Sequence, residues 1–73
     1  MKRSFKFLQG VLKSFDELKG FGTVQLSQSQ QEFRFTSREL RDEVNPGDSV
    51  IFEVQTINGG RLTARNIMKS LKP

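Results

Sequence analysis

The sequence has no cysteine and no histidine. Without thiols there is no disulfide framework and no thiolate metal site. Without imidazole the commonest general base and the commonest metal ligand are missing. Cys/His zinc sites and Cys–His or Ser–His–Asp catalysis are therefore excluded by composition. Tryptophan and tyrosine are absent too, so all seven aromatics are phenylalanine. Phe has no polar handle, so each ring belongs either in a core or on a stacking platform. Long apolar runs are also missing: the longest is Val50-Ile51-Phe52, against the roughly 20 residues a membrane span needs. Met1 to Gly10 carries basic residues with no long apolar region after them, unlike a signal peptide. The expectation is a cytoplasmic protein with no membrane partner. At 73 residues the chain reads as one domain with a thin core, burying about 60% of the surface its unfolded form exposes.

What is present is an uneven charge. The net charge is +4. Residues 1–35 hold six Lys/Arg against three acids. Residues 36–60 reverse this, with Glu39, Asp42, Glu43, Asp48 and Glu53 against two Arg. Residues 61–73 carry Arg61, Arg65, Lys69 and Lys72 and no acid. If the chain ends meet, they form a basic face opposite an acidic patch, and a basic face suits a polyanion. A solvated, solubilising surface is the plainer explanation of the same charges.

Between turn signals the hydrophobic period is two. Val50, Phe52 and Val54 alternate with polar or outward residues, as do Val24 and Leu26, and Phe33 and Phe35 alternate with Glu32 and Arg34. A first strand from about Phe5 to Phe15 and a last one from Arg61 to about Ile67 complete five. Asn45-Pro46-Gly47-Asp48 and Asn58-Gly59-Gly60 are turns, and Ser27 to Gln31 is a loop. Ser37 to Arg41 suits one helical turn capped by Ser37, with Leu40 closing one end of the core. Five short strands with little helix indicate a small barrel or sandwich.

The informative stretch is Lys19-Gly20-Phe21-Gly22-Thr23-Val24. Alternation puts Gly22, Val24 and Leu26 inside and Phe21, Thr23 and Gln25 outside. Phe21 then stands exposed between two glycines beside Lys19, where a single-stranded base would stack and its phosphate meet the ammonium. The competing assignment packs Phe21 over a barrel rim and gives the glycines to strand curvature. Enzymatic patterns are absent. Asp16 and Glu17 are adjacent and point to opposite faces, so they form no carboxylate pair. Glu39, Asp42 and Glu43 lack calcium-loop spacing, and Gly20-x-Gly22 lacks the ending of a phosphate loop. The chain is expected to be no enzyme and to hold no cofactor and no metal.

Lys19 to Val24 resembles the first RNP-like motif of the cold-shock domain family, usually Lys-Gly-Phe-Gly-Phe-Ile. Gly10-Val11-Leu12-Lys13-Ser14-Phe15-Asp16 is similar to its Gly-x-Val-Lys-Trp-Phe-Asn. Pro46 to Val54 is similar to its fourth strand and preceding turn, and Ala64-Arg65-Asn66-Ile67 to its C-terminal Ala-x-Asn-Val. The resemblance runs in family order from Gly10 to Leu71. It implies an all-β, five-stranded antiparallel OB-fold barrel as the single domain of residues 1–73, with its core at 10–71; residues 1–9 exceed what that barrel needs and are read as an N-terminal extension of strand one. It also implies binding of single-stranded RNA or DNA across strands two and three. By matching positions, Lys13, Phe15, Asp16, Lys19 and Phe21 become candidate contacts. Arg34 stands where the family's second motif has His, and Phe35 keeps that motif's last aromatic. Arg61 and Arg65 add cations. Phe15, Phe21 and Phe35 are the expected stacking rings, and Phe33 takes a core position.

The sequence departs from the family at the platforms. Ser14 replaces a stacking Trp, and Thr23 and Glu32 replace stacking Phe residues. The stretch Thr36 to Asn45 is shorter than the family's third loop and has no aromatic. At ~1–3 kcal/mol per stacked base and ~1.4 kcal/mol per tenfold, such losses amount to orders of magnitude. The expected binder is weak and salt-sensitive, in the manner of an RNA chaperone or a regulator of gene expression. The alternative is a protein-interaction module that kept the barrel and lost the ligand surface, using Arg38 to Glu43, Ile51 or Phe21. Phe5 and Phe7 either lengthen strand one in a monomer or contact a second subunit in a homodimer.

Overall fold

A computed structural model describes residues 7–70. It contains β1 (Leu8–Asp16), β2 (Phe21–Leu26), β3 (Glu32–Thr36), β4 (Ser49–Ile57) and β5 (Arg61–Lys69), with a 3-10 turn at Ser37–Glu39. The strands close into a barrel in the order β1-β2-β3-β5-β4. Four pairings are antiparallel, and the closing β3–β5 contact, Arg34 opposite Thr63, runs parallel. The expected start of strand one at Phe5, and with it a contact through Phe5, lies outside the described residues. Among the described residues no helix is long and apolar enough to cross a membrane.

The alternation read from the sequence sets the core. Val24, Phe33, Val50 and Phe52 point inward and are buried, together with Leu12, Phe35, Val44, Ala64 and Ile67. Phe33 and Phe52 meet at 5.8 Å between centroids. Leu40 packs against this cluster and bridges to Ile67, closing one end as expected. The expected Ser37 cap is not formed: Thr36 occupies the N-cap position, and no side chain accepts there. Phe35 corrects a second expectation. It is 1% exposed, because β3 pairs with β2 so that Val24 faces Phe33 and Gly22 faces Phe35. Residues two apart on a strand share a face, so Phe35 follows Phe33 inward and cannot stack on a ligand.

Two irregularities shape the outer surface. Leu12 pairs with Val24 but Ser14 pairs with Thr23, so Lys13 is an extra residue in β1. A bulge of this kind resets which side chains face out. Lys13 and Ser14 are both exposed, and Phe15 turns toward the core, where its ring stacks on Phe35 at 5.9 Å. Beyond the last β1–β4 pair, Val11 with Ser49, the loop takes over. Gly47 N–H donates to Leu12 O at 2.8 Å and Leu12 N–H to Asp48 O at 3.0 Å. Gly47 sits at φ +97° in the Asn45–Asp48 turn, a conformation glycine adopts without strain.

The second irregularity lies in β5, which gains one residue between its pairings of Met68 with Ile51 and Arg65 with Glu53. Asn66 there takes φ +51°. Its Oδ1 accepts from Arg41 Nε (3.1 Å) and Nη2 (2.9 Å), and its Nδ2 donates to Glu53 Oε1 at 2.9 Å. These bonds tie Arg41, just after the 3-10 turn, to β5 and Asn66 to β4.

Gly22 is the tightest position. A Cβ there would lie 2.9 Å from Phe15 Cα and 2.9 Å from Phe35 Cζ, and closer still to the Ser14 carbonyl oxygen. Gly22→Ala is expected to destabilise the barrel by at least the ~1–3 kcal/mol of an overpacked core, read as a lower urea midpoint. Phe35→Ala is expected to lose ~3–5 kcal/mol in the same measurement. Phe21→Ala should change it little, since that ring is outside.

Candidate nucleic-acid interface

The sharp turn between β1 and β2 presents the first group of candidates. Asp16 Oδ1 accepts from the N–H of Leu18 at 3.0 Å and of Lys19 at 3.2 Å, and Gly20 N–H donates to Asp16 O at 2.7 Å. Asp16 therefore organises the turn that carries Lys19 and delivers Phe21 at the start of β2. Ser37 N–H donates to Gly20 O at 2.9 Å and fixes the far side. Phe21 is 46% exposed, as alternation required.

Phe21 opens onto a cleft of about 230 Å³ lined by Ser14, Phe15, Asp16, Gly22, Thr23 and Arg34 as well. The structure thus gathers Phe15, Asp16, Phe21 and Arg34 from three strands. Phe15 contributes only part of its ring, since the rest packs on Phe35. Ser14 and Thr23, which stand where the family has a Trp and a Phe, form a hydroxyl pair at 3.1 Å. The floor of the cleft is therefore one open ring, part of another, and a polar hydroxyl pair.

The cations divide into two sets. Lys13 Nζ lies 3.8 Å from Glu32 Oε2, both about half exposed, so the pair is weak and either group is free to exchange it for a ligand. Lys19 and Arg34 are exposed. Arg61 shares a second cleft with Arg34. Arg65 stands apart from these. Its Nε is 3.5 Å from Glu39 Oε1, and its Nη1 donates to Gln55 Oε1. That places it in the polar network around Asn66. Among the described residues β4 lies between β1 and β5, and the basic residues of the two chain ends lie outside the described residues.

Sequence reasoning did not anticipate Ile57 and Leu62, each 43% exposed, or Leu18, 97% exposed. Ile57 and Leu62 flank the Asn58-Gly59-Gly60 turn, and their apolar character beside a hairpin tip was the available signal.

No protein-family model and no curated relative matches the chain. Among solved structures, Drosophila Unr CSD456 is similar, with 32% sequence identity and a TM-score of 0.74. The likeness covers 96% of this chain but 29% of that one, so the chain spans less than a third of the relative's length. CSD denotes cold-shock domain, and the barrel described above has this fold: five strands, closed, of the cold-shock OB type.

Proposed function

We propose that the outer face of β1, β2 and β3 binds single-stranded RNA or DNA without catalysis, holding it unpaired in the manner of a chaperone. The observation that carries this reading is the Phe21 ring, 46% exposed in a cleft it shares with Arg34 and the edge of Phe15. A base stacks on Phe21 and a guanidinium beside it meets the phosphate or stacks in turn. The likeness to a cold-shock domain supports nucleic-acid binding as the class of function. Lys13, Lys19, Arg34 and Arg61 supply the backbone contacts. Arg65 supplies none, because its guanidinium is engaged by Glu39 and Gln55.

Leu18 supports a second reading. An almost fully exposed leucine at the β1–β2 turn, three residues before Phe21, would also suit a protein partner on the same barrel.

A fluorescent pyrimidine-rich oligonucleotide titrated at about 50 and 200 mM salt separates the two. Nucleic-acid binding is expected to weaken with salt, with a slope of about −0.7 per phosphate neutralised. Arg34→Ala is expected to reduce that slope by about one such step, and Arg65→Ala to leave it unchanged. No binding at low salt refutes the proposal.

Phe21→Ala is expected to lose roughly 5- to 150-fold in affinity at constant slope, the worth of one stacked base. An unchanged affinity would place the ligand elsewhere.

A further inference from the structure

We infer that the cleft at the β3–β5 seam is a guanine subsite, with Glu32 as its specificity-determining residue. The inference rests on the proposed nucleic-acid face and extends it. The cleft is about 420 Å³ and is lined by Glu32, Arg34, Ile57, Arg61, Leu62 and Thr63. Arg34 also lines the Phe21 cleft, so a strand lying across β1–β3 reaches the second site without leaving the protein surface.

Each wall has a chemistry that a base uses. Ile57 and Leu62 are large, apolar and 43% exposed, and neither belongs to the core. One exposed aliphatic side chain needs no explanation, but two on one cleft beside two arginines offer a flat base an apolar face. Among the described residues neither Arg34 nor Arg61 has a carboxylate within ion-pair distance, so both remain available to the flanking phosphates. Thr63 Oγ1 donates to Arg34 O at 2.9 Å, which pins β3 to β5 and commits its proton. Glu32 is then the charged acceptor of the cleft, its only ionic partner among the described residues being exposed Lys13 at 3.8 Å.

An ionised carboxylate accepts hydrogen bonds and donates none. The pairing edges of single-stranded bases are open to side chains. Guanine alone presents two adjacent donors there, N1–H and the N2 amine. Adenine and cytosine set an acceptor beside their single donor group, and uracil sets its N3–H between two carbonyls. Against those edges Glu32 makes one bond and faces a repelling lone pair. Binding guanine also frees Lys13 to meet a phosphate. The carboxylate that removes a stacking platform from this position therefore supplies base discrimination in its place.

The test uses the full chain and three fluorescent RNA heptamers: U7, U7 with its central base changed to guanine, and the same with inosine, which lacks the N2 amine. Wild type is expected to bind the guanine heptamer about tenfold or more tighter than U7, with inosine between. Glu32→Gln is expected to abolish the preference while binding U7 at least as tightly, since an anion near phosphates has gone. Guanine-dependent amide shifts in NMR spectra are expected at Ile57, Leu62 and Thr63. Equal binding of the three heptamers, or a preference that survives in Glu32→Gln, overturns the subsite and leaves the Phe21 face standing. No binding of any heptamer at low salt overturns both. GMP displacing the guanine heptamer at equal concentration overturns the strand-borne ligand in favour of a free nucleotide.

Discussion

Phe35 fills the space that Gly22 leaves. A Cβ at residue 22 would stand 2.9 Å from the Phe35 ring and 2.9 Å from the β1 backbone at Phe15, so β1, β2 and β3 can approach this closely only over a bare glycine. Once Phe35 is inside, Phe15 stacks on it at 5.9 Å, which requires the bulge at Lys13 to turn β1 over. The turn of β1 in turn sets Ser14 beside Thr23 on the outer surface. Phe21, the neighbour of Gly22, is left facing water. The composition of the candidate face is thus a consequence of how the barrel packs beneath it.

Charge is organised by the same logic. The acidic stretch from Glu39 to Glu53 is not a free patch, since Glu39 and Glu53 hold Arg65 and the Asn66 side chain. What those acids engage is one arginine of β5, whose side chain stays 40% exposed. Arg34 and Arg61 escape this because they sit across the β3–β5 seam, where a side-chain-to-backbone bond from Thr63 does the joining and no carboxylate is needed. On that seam the basic surface comes from β3 and β5, and Lys13 of β1 and Lys19 of the β1–β2 turn extend it.

Alternation made β2, β3 and β4 legible: Val24, Phe33, Val50 and Phe52 are inward as read, and Phe21 is outward. The Asn45–Asp48 turn was legible for a local reason, a proline followed by a glycine at positive φ. Phe35 was misjudged because two rules disagreed there. Alternation joined it to Phe33, while the family resemblance made it a platform, and strand geometry decided. The bulge at Lys13 had no local signal, since no glycine marks it. It exists to satisfy Phe15 and Phe35, which lie 20 residues apart in sequence. Arg65 was equally illegible, because its partners Glu39 and Gln55 come from other elements. Features fixed by neighbours in sequence could be read, and features fixed by partners across the barrel could not.

A face with one open ring cannot draw its affinity from stacking as a face with four rings does. At ~1–3 kcal/mol per base, Phe21 alone supports no more than weak binding, and the remainder must come from phosphate contacts, which carry no sequence information. Such a surface would release its ligand readily and prefer nothing. A carboxylate among the cations alters that balance. It lowers affinity for every strand through repulsion, and restores it only for a base whose edge offers two donors. Loss of aromatic platforms and gain of Glu32 then act together, exchanging general affinity for a choice among bases. Glu32 is better placed for this than an aromatic would be, since it stands exposed on β3 between Lys13, which can leave it, and Arg34, which both clefts share.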